Sequence, residues 1–398
     1  MNTMSDFSVF SPAVYSDRIV AAQTILTQHG LTAIIVATGE DFFYYTGSEL
    51  SSHERLSALV IPASGQPTVF APFTDIADLQ SSPLSAMHVA IQGWKDGDDV
   101  YGMVADTITA GVRQRKASTS LASRETTTSS HNHMRVGVTA ALTADHLLRL
   151  QSVVDAQWVL ANDELAEQFM VKDQAEIAEL ERAAAAIDSV HQRVPQLLRP
   201  GRTEREVAAD LQEMILEKHI RVDFIIVGSG PNGANPHHSF SDRVLEVGDP
   251  CVIDIGGTVD SGYHSDSTRT YVVGGALENA PEDFRAAYEV LYAAQQTACE
   301  FAGPEKTAAQ IDACARDILS DAGLGELFSH RLGHGIGLGM HELPSIAAGN
   351  DTPIVEGMSF SIEPGLYKEG HWGMRLEDIV VVTSSGVRSL NNAPRELR

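Results

Sequence analysis

The sequence predicts an α+β chain in two parts: a smaller α/β unit over residues 1–165, then a larger unit over 166–398 made of duplicated helix–strand–strand halves. Three observations predict it. The length, 398 residues, exceeds the roughly 250 at which a single core stops growing. The pattern changes near residue 165, from short apolar runs between turns to a long helical stretch. The larger part also repeats itself at an offset of 104, with Thr203 falling on Thr307, Val207 on Ile311, Leu211 on Ala315 and Ile215 on Leu319.

In chain order, a helical stretch from Ser16 to His29 leads into strand-like LTAIIVAT, FFYYTG, ALVIP and QPTVFAP, a mixed sheet with covering helices. The Ser/Thr-rich run 117–133 reads as a solvated loop before the short strand RVGVT. His53, Glu54 and Arg55 read as a solvated turn, with Arg55 as a weaker candidate for reaching a neighbouring site. From Asp163 apolar residues recur at helical spacing as far as Pro200-Gly201. Each copy of the repeat is an amphipathic helix with a Thr placed to cap its start, followed by Gly-rich, strand-like sequence. Two such halves about a pseudo-two-fold would bring their strand ends to a shared cleft.

Charge narrows the function. Of 53 acidic and 28 basic residues, 39 and 19 fall in residues 151–398, a net −20 on that part of a chain whose formal charge is −25. Such a surface repels phosphate backbones and anionic lipid, which argues against nucleic-acid or membrane partners and is suited to holding cations. The first residues lack a basic segment followed by an apolar one, and no apolar run reaches the roughly 18 residues of a membrane span. Cys251, Cys299 and Cys314 are odd in number and wrongly spaced for a disulfide framework or a thiolate zinc site. The expected compartment is the cytoplasm.

The chemistry gathers in the larger part. In CVIDIGG, Asp254 interrupts an apolar run, and in HSDSTRTYVV, Asp266 shares a face with Thr268 and Thr270. A Gly-containing turn between the two strands would set Asp254 opposite Asp266, with Cβ atoms about 5 Å apart. Two carboxylates in an apolar hairpin are costly unless a cation lies between them. The arrangement recurs: Glu363 follows Ile362 in MSFSIEPGLY, and Glu377 shares a face with Arg375 and Ile379 in GMRLEDIVVVT. Between them SHRLGHGIGLGMHELP carries His330, His334 and His341, with glycines at every second position from 333 to 339. Single acids in strands are ordinarily edge or turn residues, and a lone His is ordinarily structural. Four acids that each break an apolar strand, with a Gly-spaced His run between the hairpins, point to paired divalent ions, and Mn²⁺, Co²⁺ and Zn²⁺ all suit the set.

Other motifs fall away. GSGPNG (228–233) fits a dinucleotide fingerprint but continues AlaAsnProHisHis instead of opening a helix. His341-Glu342 lacks the second His of a zincin and meets Pro where a helix must continue. There is no nucleophile elbow and no phosphate loop.

In order and spacing, GSGPNGANPHH, VIDIGG, HSDSTRT, HRLGHGIGLGMHE, SIEPGLY and MRLEDIVV resemble the catalytic domain of the pita-bread metallopeptidases, and within them the Xaa-Pro peptidase branch of prolidases and aminopeptidase P. That branch also carries a creatinase-like N-terminal domain, which residues 1–165 resemble by size and pattern. The resemblance implies a dinuclear site of Asp254, Asp266, His334, Glu363 and Glu377, with Asp266 and Glu377 bridging and Mn²⁺ the first choice of ion. It implies substrate contacts for His237, His330, His341, Tyr367 and Arg375, and leaves His238 and His264 as bystanders. It also implies a mechanism in which two ions activate a shared water, Glu363 carries the proton to the leaving imino nitrogen, and His341 and His237 stabilise the oxyanion.

The expected reaction is cleavage of Xaa-Pro bonds in small peptides with proline at P1′, leaning to dipeptides, and the expected assembly is a homodimer. Aminopeptidase P activity on longer peptides is the alternative. One departure bears on that choice: where some prolidases place an Arg after the His-Glu-x-Pro run to clamp the dipeptide carboxylate, this chain has Ser345, so Arg375, Arg55 or a partner subunit would have to supply the cation. A methionine-aminopeptidase type is disfavoured by the large N-terminal part, a creatinase-like amidinohydrolase by the complete ligand set, and a non-catalytic binding module by the unbroken pentad.

Overall fold

The computed structural model describes residues 10–52, 54–120 and 134–398. The chain divides into two compact units, meeting between Gln168 and Phe169.

The first unit runs α1 (Pro12–Gln28), β1 (Ala33–Ala37), α2 (Glu40–Thr46), β2 (Ala58–Pro62), β3 (Thr68–Pro72), α3 (Ile76–Ser81), β4 (Ala90–Trp94), α4 (Val100–Ser120), β5 (Arg135–Val138), α5 (Ala144–Val153), β6 (Gln157–Leu160) and α6 (Asn162–Met170). Its six strands form one mixed sheet in the order β4-β3-β2-β1-β5-β6. β1 and β2 are buried along their whole length, so their apolar runs read as continuous. Two expectations need correction here. The aromatic run FFYYTG is the helix α2, because a short apolar segment does not distinguish helix from strand by period. The start of the Ser/Thr-rich run, to Ser120, continues α4, and residues 121–133 lie outside the described residues. His53 lies outside them as well. Arg55 pairs with Asp96 at 2.8 Å, which uses the charge considered for a neighbouring site.

The second unit opens with α7 (Gln174–His191), whose start is fixed by a capping box between Asp173 and Glu176. α8 (Glu204–Ile215) leads to β7 (Arg221–Ser229), a single 3₁₀ turn over Gly230–Ala234, β8 (Pro250–Thr258) and β9 (His264–Val272). β7-β8-β9 is a three-stranded antiparallel sheet. The second half follows with α9 (Glu282–Phe301), α10 (Ala308–Asp321), β10 (Gly333–Gly335), β11 (Glu342–Ile346), β12 (Ser359–Ile362), β13 (Gly365–Lys368), β14 (Trp372–Arg375), β15 (Asp378–Thr383) and β16 (Gly386–Ser389). Its main sheet has the order β11-β10-β12-β15-β16, with β13-β14 as a separate hairpin.

The duplication read at an offset of 104 has physical form. Thr203 and Thr307 both cap their helices in capping boxes, with Glu206 and Gln310 as the reciprocal residues. Val207, Leu211 and Ile215 bury one face of α8, and Ile311, Ala315 and Leu319 bury the matching face of α10. Each half has its own apolar core. One is centred on Ile187, Leu211, Ile253 and Ile255, the other on Leu291, Ile311, Phe360 and Val380. Full burial of each such side chain is worth about 1.5–3 kcal/mol, so both layers are anchored independently behind the strands that face the site.

Candidate metal centre

Every residue of β8 and β9 is buried. The register sets Asp254 across from Thr268 and Asp266 across from Gly256. The two aspartates therefore share a face but stand diagonally, two residues out of step with the direct opposition the sequence suggested. Asp254 accepts a 2.5 Å hydrogen bond from Arg375 Nη2. Asp254 Oδ1 is buried and has no hydrogen-bond partner.

The second half supplies three side chains from strand ends and one short strand. β12 pairs with β15 so that Ile362 lies opposite Asp378, which brings the next residues, Glu363 and Glu377, together just past the ends of the ladder. The sequence reading had carried both acids on strands; the chain instead turns at Pro364 into the β13-β14 hairpin. His334 sits in the middle of β10, where Gly333 has no room for a side chain, since a Cβ there would stand 1.9 Å from Ser361 O. His334 N donates to Ser361 Oγ, and its Nδ1 lies 3.0 Å from Gly335 O, which turns Nε2 toward the carboxylates. That Nε2 is 3.3 Å from Glu363 Oε1 and 3.6 Å from Asp266 Oδ2.

The halves meet at Thr268. Its Oγ1 donates to Glu377 Oε2 at 2.7 Å, and Glu377 N donates to Thr268 O. Donor atoms of Asp266, His334 and Glu377 all lie within 4.8 Å of one another, and all three residues are buried. Glu363 adjoins this group through His334, and Asp254 through the buried Arg375.

The charges at these groups do not balance without a cation. Burial, then the neighbouring carboxylates Glu377, Asp254 and Glu363, push Asp266 well above the carboxylate range. Burial with Glu363 and Asp254 does the same to Glu377. Burial lifts Glu363 to about 7 against the opposing charge of Arg375. His334 is driven down to about 3 by burial and by His341, so it presents a neutral, ligating imidazole. Glu377 Oε1, like Asp254 Oδ1, is buried without a partner. Four acids against one committed guanidinium, with two orphaned oxygens, fit divalent cations held by hard oxygens and one nitrogen.

Around this group stand the other expected residues. His341 packs edge-on against His334, with ring centroids 4.2 Å apart. His330 Nε2 is 2.9 Å from the Tyr367 hydroxyl, which also accepts from Arg375 Nη1 at 2.7 Å. Burial lowers His330 to about 4 and raises Tyr367 to about 12, so both are neutral at pH 7. His237 is exposed on the segment after the 3₁₀ turn, yet near enough that its charge disfavours protonation of His330 and His341. The two histidines read as bystanders each have a carboxylate partner: His238 Nε2 lies 2.8 Å from Glu204 Oε2, and His264 Nδ1 lies 2.7 Å from Asp223 Oδ2.

One residue was missed by the sequence reading. Arg331 Nη1 lies 3.5 Å from Ser345 Oγ, the position at which a clamp was sought. Among the described residues no carboxylate pairs with Arg331, although its charge is felt at His334, His341 and Glu363. Its signal was its place between His330 and His334. Arg375, by contrast, is spent on Asp254, Tyr367 and Thr268.

Comparison with known proteins decides the family. Residues 178–384 match the pattern of Metallopeptidase family M24, and residues 18–171 that of the Creatinase/Prolidase N-terminal domain. The chain belongs to metallopeptidase family M24. This M24 chain is 46% identical over 389 residues to the probable dipeptidase PepE of Mycobacterium tuberculosis, covering 98% of this chain and 97% of that protein. It is 32% identical over 380 residues to the Xaa-Pro dipeptidase of Lactobacillus delbrueckii subsp. lactis, covering 94% and 97%. Among solved structures, the dipeptidase PepE from Mycobacterium ulcerans superposes with a TM-score of 0.88 at 48% identity, covering 98% of both chains. The fold expected from the sequence, a pita-bread catalytic unit preceded by a creatinase-like α/β unit, is the fold of this M24 metallopeptidase. Family membership implies divalent metal and peptide substrates. Among the described residues, no helix is long and apolar enough to cross a membrane.

Proposed function

We propose that this M24 metallopeptidase is an Xaa-Pro dipeptidase in which Asp254, Asp266, His334, Glu363 and Glu377 would hold two divalent ions. Mn²⁺ is the ion we propose first, since oxygen-rich sites take it readily, as they do Co²⁺ and Zn²⁺. The observation that carries the reading is the buried meeting of Asp266, His334 and Glu377, with Glu363 beside His334 and with Asp254 Oδ1 and Glu377 Oε1 left without a protein partner. When bound, the ions supply Lewis acidity that lowers the pKa of water and polarises the scissile carbonyl.

The protein's own residues do the rest. Glu363 takes up the proton of the attacking water on its carboxylate and delivers it to the prolyl nitrogen as the C–N bond breaks. His341 and His237 stabilise the negative charge that develops on the carbonyl oxygen. Arg375 and His330 fix the Tyr367 hydroxyl between them, which holds that ring still against the substrate. Arg331, half-buried and without a carboxylate, is the cation we assign to the free carboxylate of a dipeptide, in place of the clamp absent at Ser345. The names of the relatives, dipeptidase and Xaa-Pro dipeptidase, support the same substrate class.

In this reading residues 166–398 perform the chemistry, residues 1–165 form the creatinase-like N-terminal part, and the working form is a homodimer, checked by light scattering. Three free cysteines suit a cytoplasmic enzyme. The deciding experiment compares an Xaa-Pro dipeptide with an Xaa-Pro-Yaa tripeptide, with and without added Mn²⁺. Preference for the dipeptide with Mn²⁺ supports the proposal, whereas preference for the tripeptide makes the enzyme an aminopeptidase P.

A further inference from the structure

His237 is a substrate-contacting residue in the reading above, yet among the described residues its ring makes no hydrogen bond, and only its backbone N is tied, to Asn235 Oδ1. What fixes it must act through the segment that carries it. That segment is held at both ends by one side chain, Glu204, the first residue of α8. Glu204 is wholly buried, its side chain 0% exposed.

Its Oε1 accepts from Ser229 N at 2.8 Å, Ser229 Oγ at 2.7 Å and Asn232 Nδ2 at 3.0 Å. Its Oε2 accepts from Ser241 N at 2.8 Å, Ser241 Oγ at 2.7 Å and His238 Nε2 at 2.8 Å. Residues 229–232 enter the turn and residues 238–241 leave it, so a single carboxylate pins the entry to the exit. Burial would raise that carboxyl, but the bonds from His238, Ser229 and Ser241 outweigh it and hold Glu204 below its ordinary value, as an anion that accepts from every partner.

The opposite side of the segment lies on β14. Gly373 approaches so closely that a Cβ there would stand 1.7 Å from Gly233 O, and Arg375 Nη1 reaches Pro236 O at 3.4 Å. Between these two holds the backbone of Asn235–His237 is tied down, and the His237 ring is what the stretch presents. His238 belongs to the hold, although it neighbours a residue of the site.

We propose that Glu204 and His238 are positioning residues of the reaction: the buried carboxylate, through His238 and the two serines, sets where the His237 ring stands at the scissile bond. The proposal rests on the role given to His237. Misplacing a group by about 1 Å is enough to cost about 100-fold in rate, so a small slackening of the hold is enough to register in turnover.

The test is a cycle on the Mn²⁺-loaded enzyme with an Xaa-Pro dipeptide, using His238→Phe, His238→Gln, Glu204→Gln, His237→Ala and the double variant His238→Phe/His237→Ala. Because Glu204 is a buried hub, Glu204→Gln could fail to fold, and the His238 variants then carry the test. His238→Phe is expected to lower kcat about tenfold with KM changed less than about twofold and metal content unaltered. His238→Gln, which keeps an N–H for Glu204, is expected to restore most of that loss. In the His237→Ala background the His238→Phe penalty should shrink to under about twofold, because there is no ring left to misplace. An undiminished penalty in that background, or no rescue by Gln, overturns the positioning role. If His237→Ala alone leaves kcat/KM unchanged, the role given to His237 fails first and the proposal falls with it.

Discussion

In the first half of the larger unit, residues 174–272, the two candidate ligands lie inside long strands; in the second half, residues 282–389, two of the three lie just past the ends of short strands and the third, His334, lies within a very short one. Asp254 and Asp266 are built into nine-residue ladders, every position buried. Glu363 and Glu377 flank a hairpin inserted between β12 and β15, and His334 comes from a three-residue strand. The duplicated helices show a parallel difference at matched positions. His191 of α7 reaches β9 through Ser267 O and the Tyr271 hydroxyl. Gln295, 104 residues later in α9, reaches the start of β15 through Asp378 Oδ2. One copy thus supplies carboxylates from within a wholly buried sheet. The other supplies the imidazole and the carboxylate proposed to carry the proton, on irregular backbone, where the chain can turn and aim a side chain.

If that division holds, replacing the acid of the irregular half should strike chemistry before stability. Glu363→Ala is expected to reduce turnover about 10³-fold in a protein whose circular dichroism is unchanged. Activity retained above a few per cent would remove Glu363 from its role. Arg331→Ala, in the same half, should raise KM for a dipeptide about 10- to 100-fold by removing a charge-assisted pair. KM for a tripeptide, whose carboxylate lies one residue farther on, should change less than about threefold, and equal effects on both substrates would break the assignment. Metal removal should separate the halves directly. In chelator-treated protein, amide exchange is expected to rise more across 363–377 than across 252–270, because the strand interiors keep their ladder without the ions.

The smallest effect concerns the helices. Burial holds His191 at about 3, below the 6.5 of an ordinary His, so the unfolded chain takes up a proton there that the folded chain refuses. Stability is therefore drained as pH falls from about 6.5 toward 3, at about 1.4 kcal/mol per unit well inside that window. His191→Gln, the residue the other half uses, should flatten the fall of Tm between pH 6.5 and 5. An unchanged slope would show that acid sensitivity lies elsewhere.

Much of the candidate site was legible in the sequence because four of its residues, Asp254, Asp266, Glu363 and Glu377, are acids set in or beside apolar strands, a local signal visible without a partner in view. The repeat was legible for the same reason, since capping threonines and apolar spacing are local signals. What escaped was whatever depends on pairing. The register of β8 on β9 is set by the turn geometry, so Asp254 faces Thr268 where opposition to Asp266 was expected. The aromatic α2 carried no period long enough to distinguish it from a strand. The partners of His238 and His264 lie 34 and 41 residues away, at Glu204 and Asp223, and no spacing rule joins them. Arg331 was hidden by its neighbours, as the histidines on either side drew the reading to themselves.

Metal stoichiometry with reconstitution is the sharpest check on the proposal that both halves contribute to one metal centre. About two divalent ions are expected per chain, with Xaa-Pro hydrolysis lost when they are stripped and restored as Mn²⁺ is titrated back to that ratio. Full prolyl-bond cleavage by protein stripped of metal would contradict it.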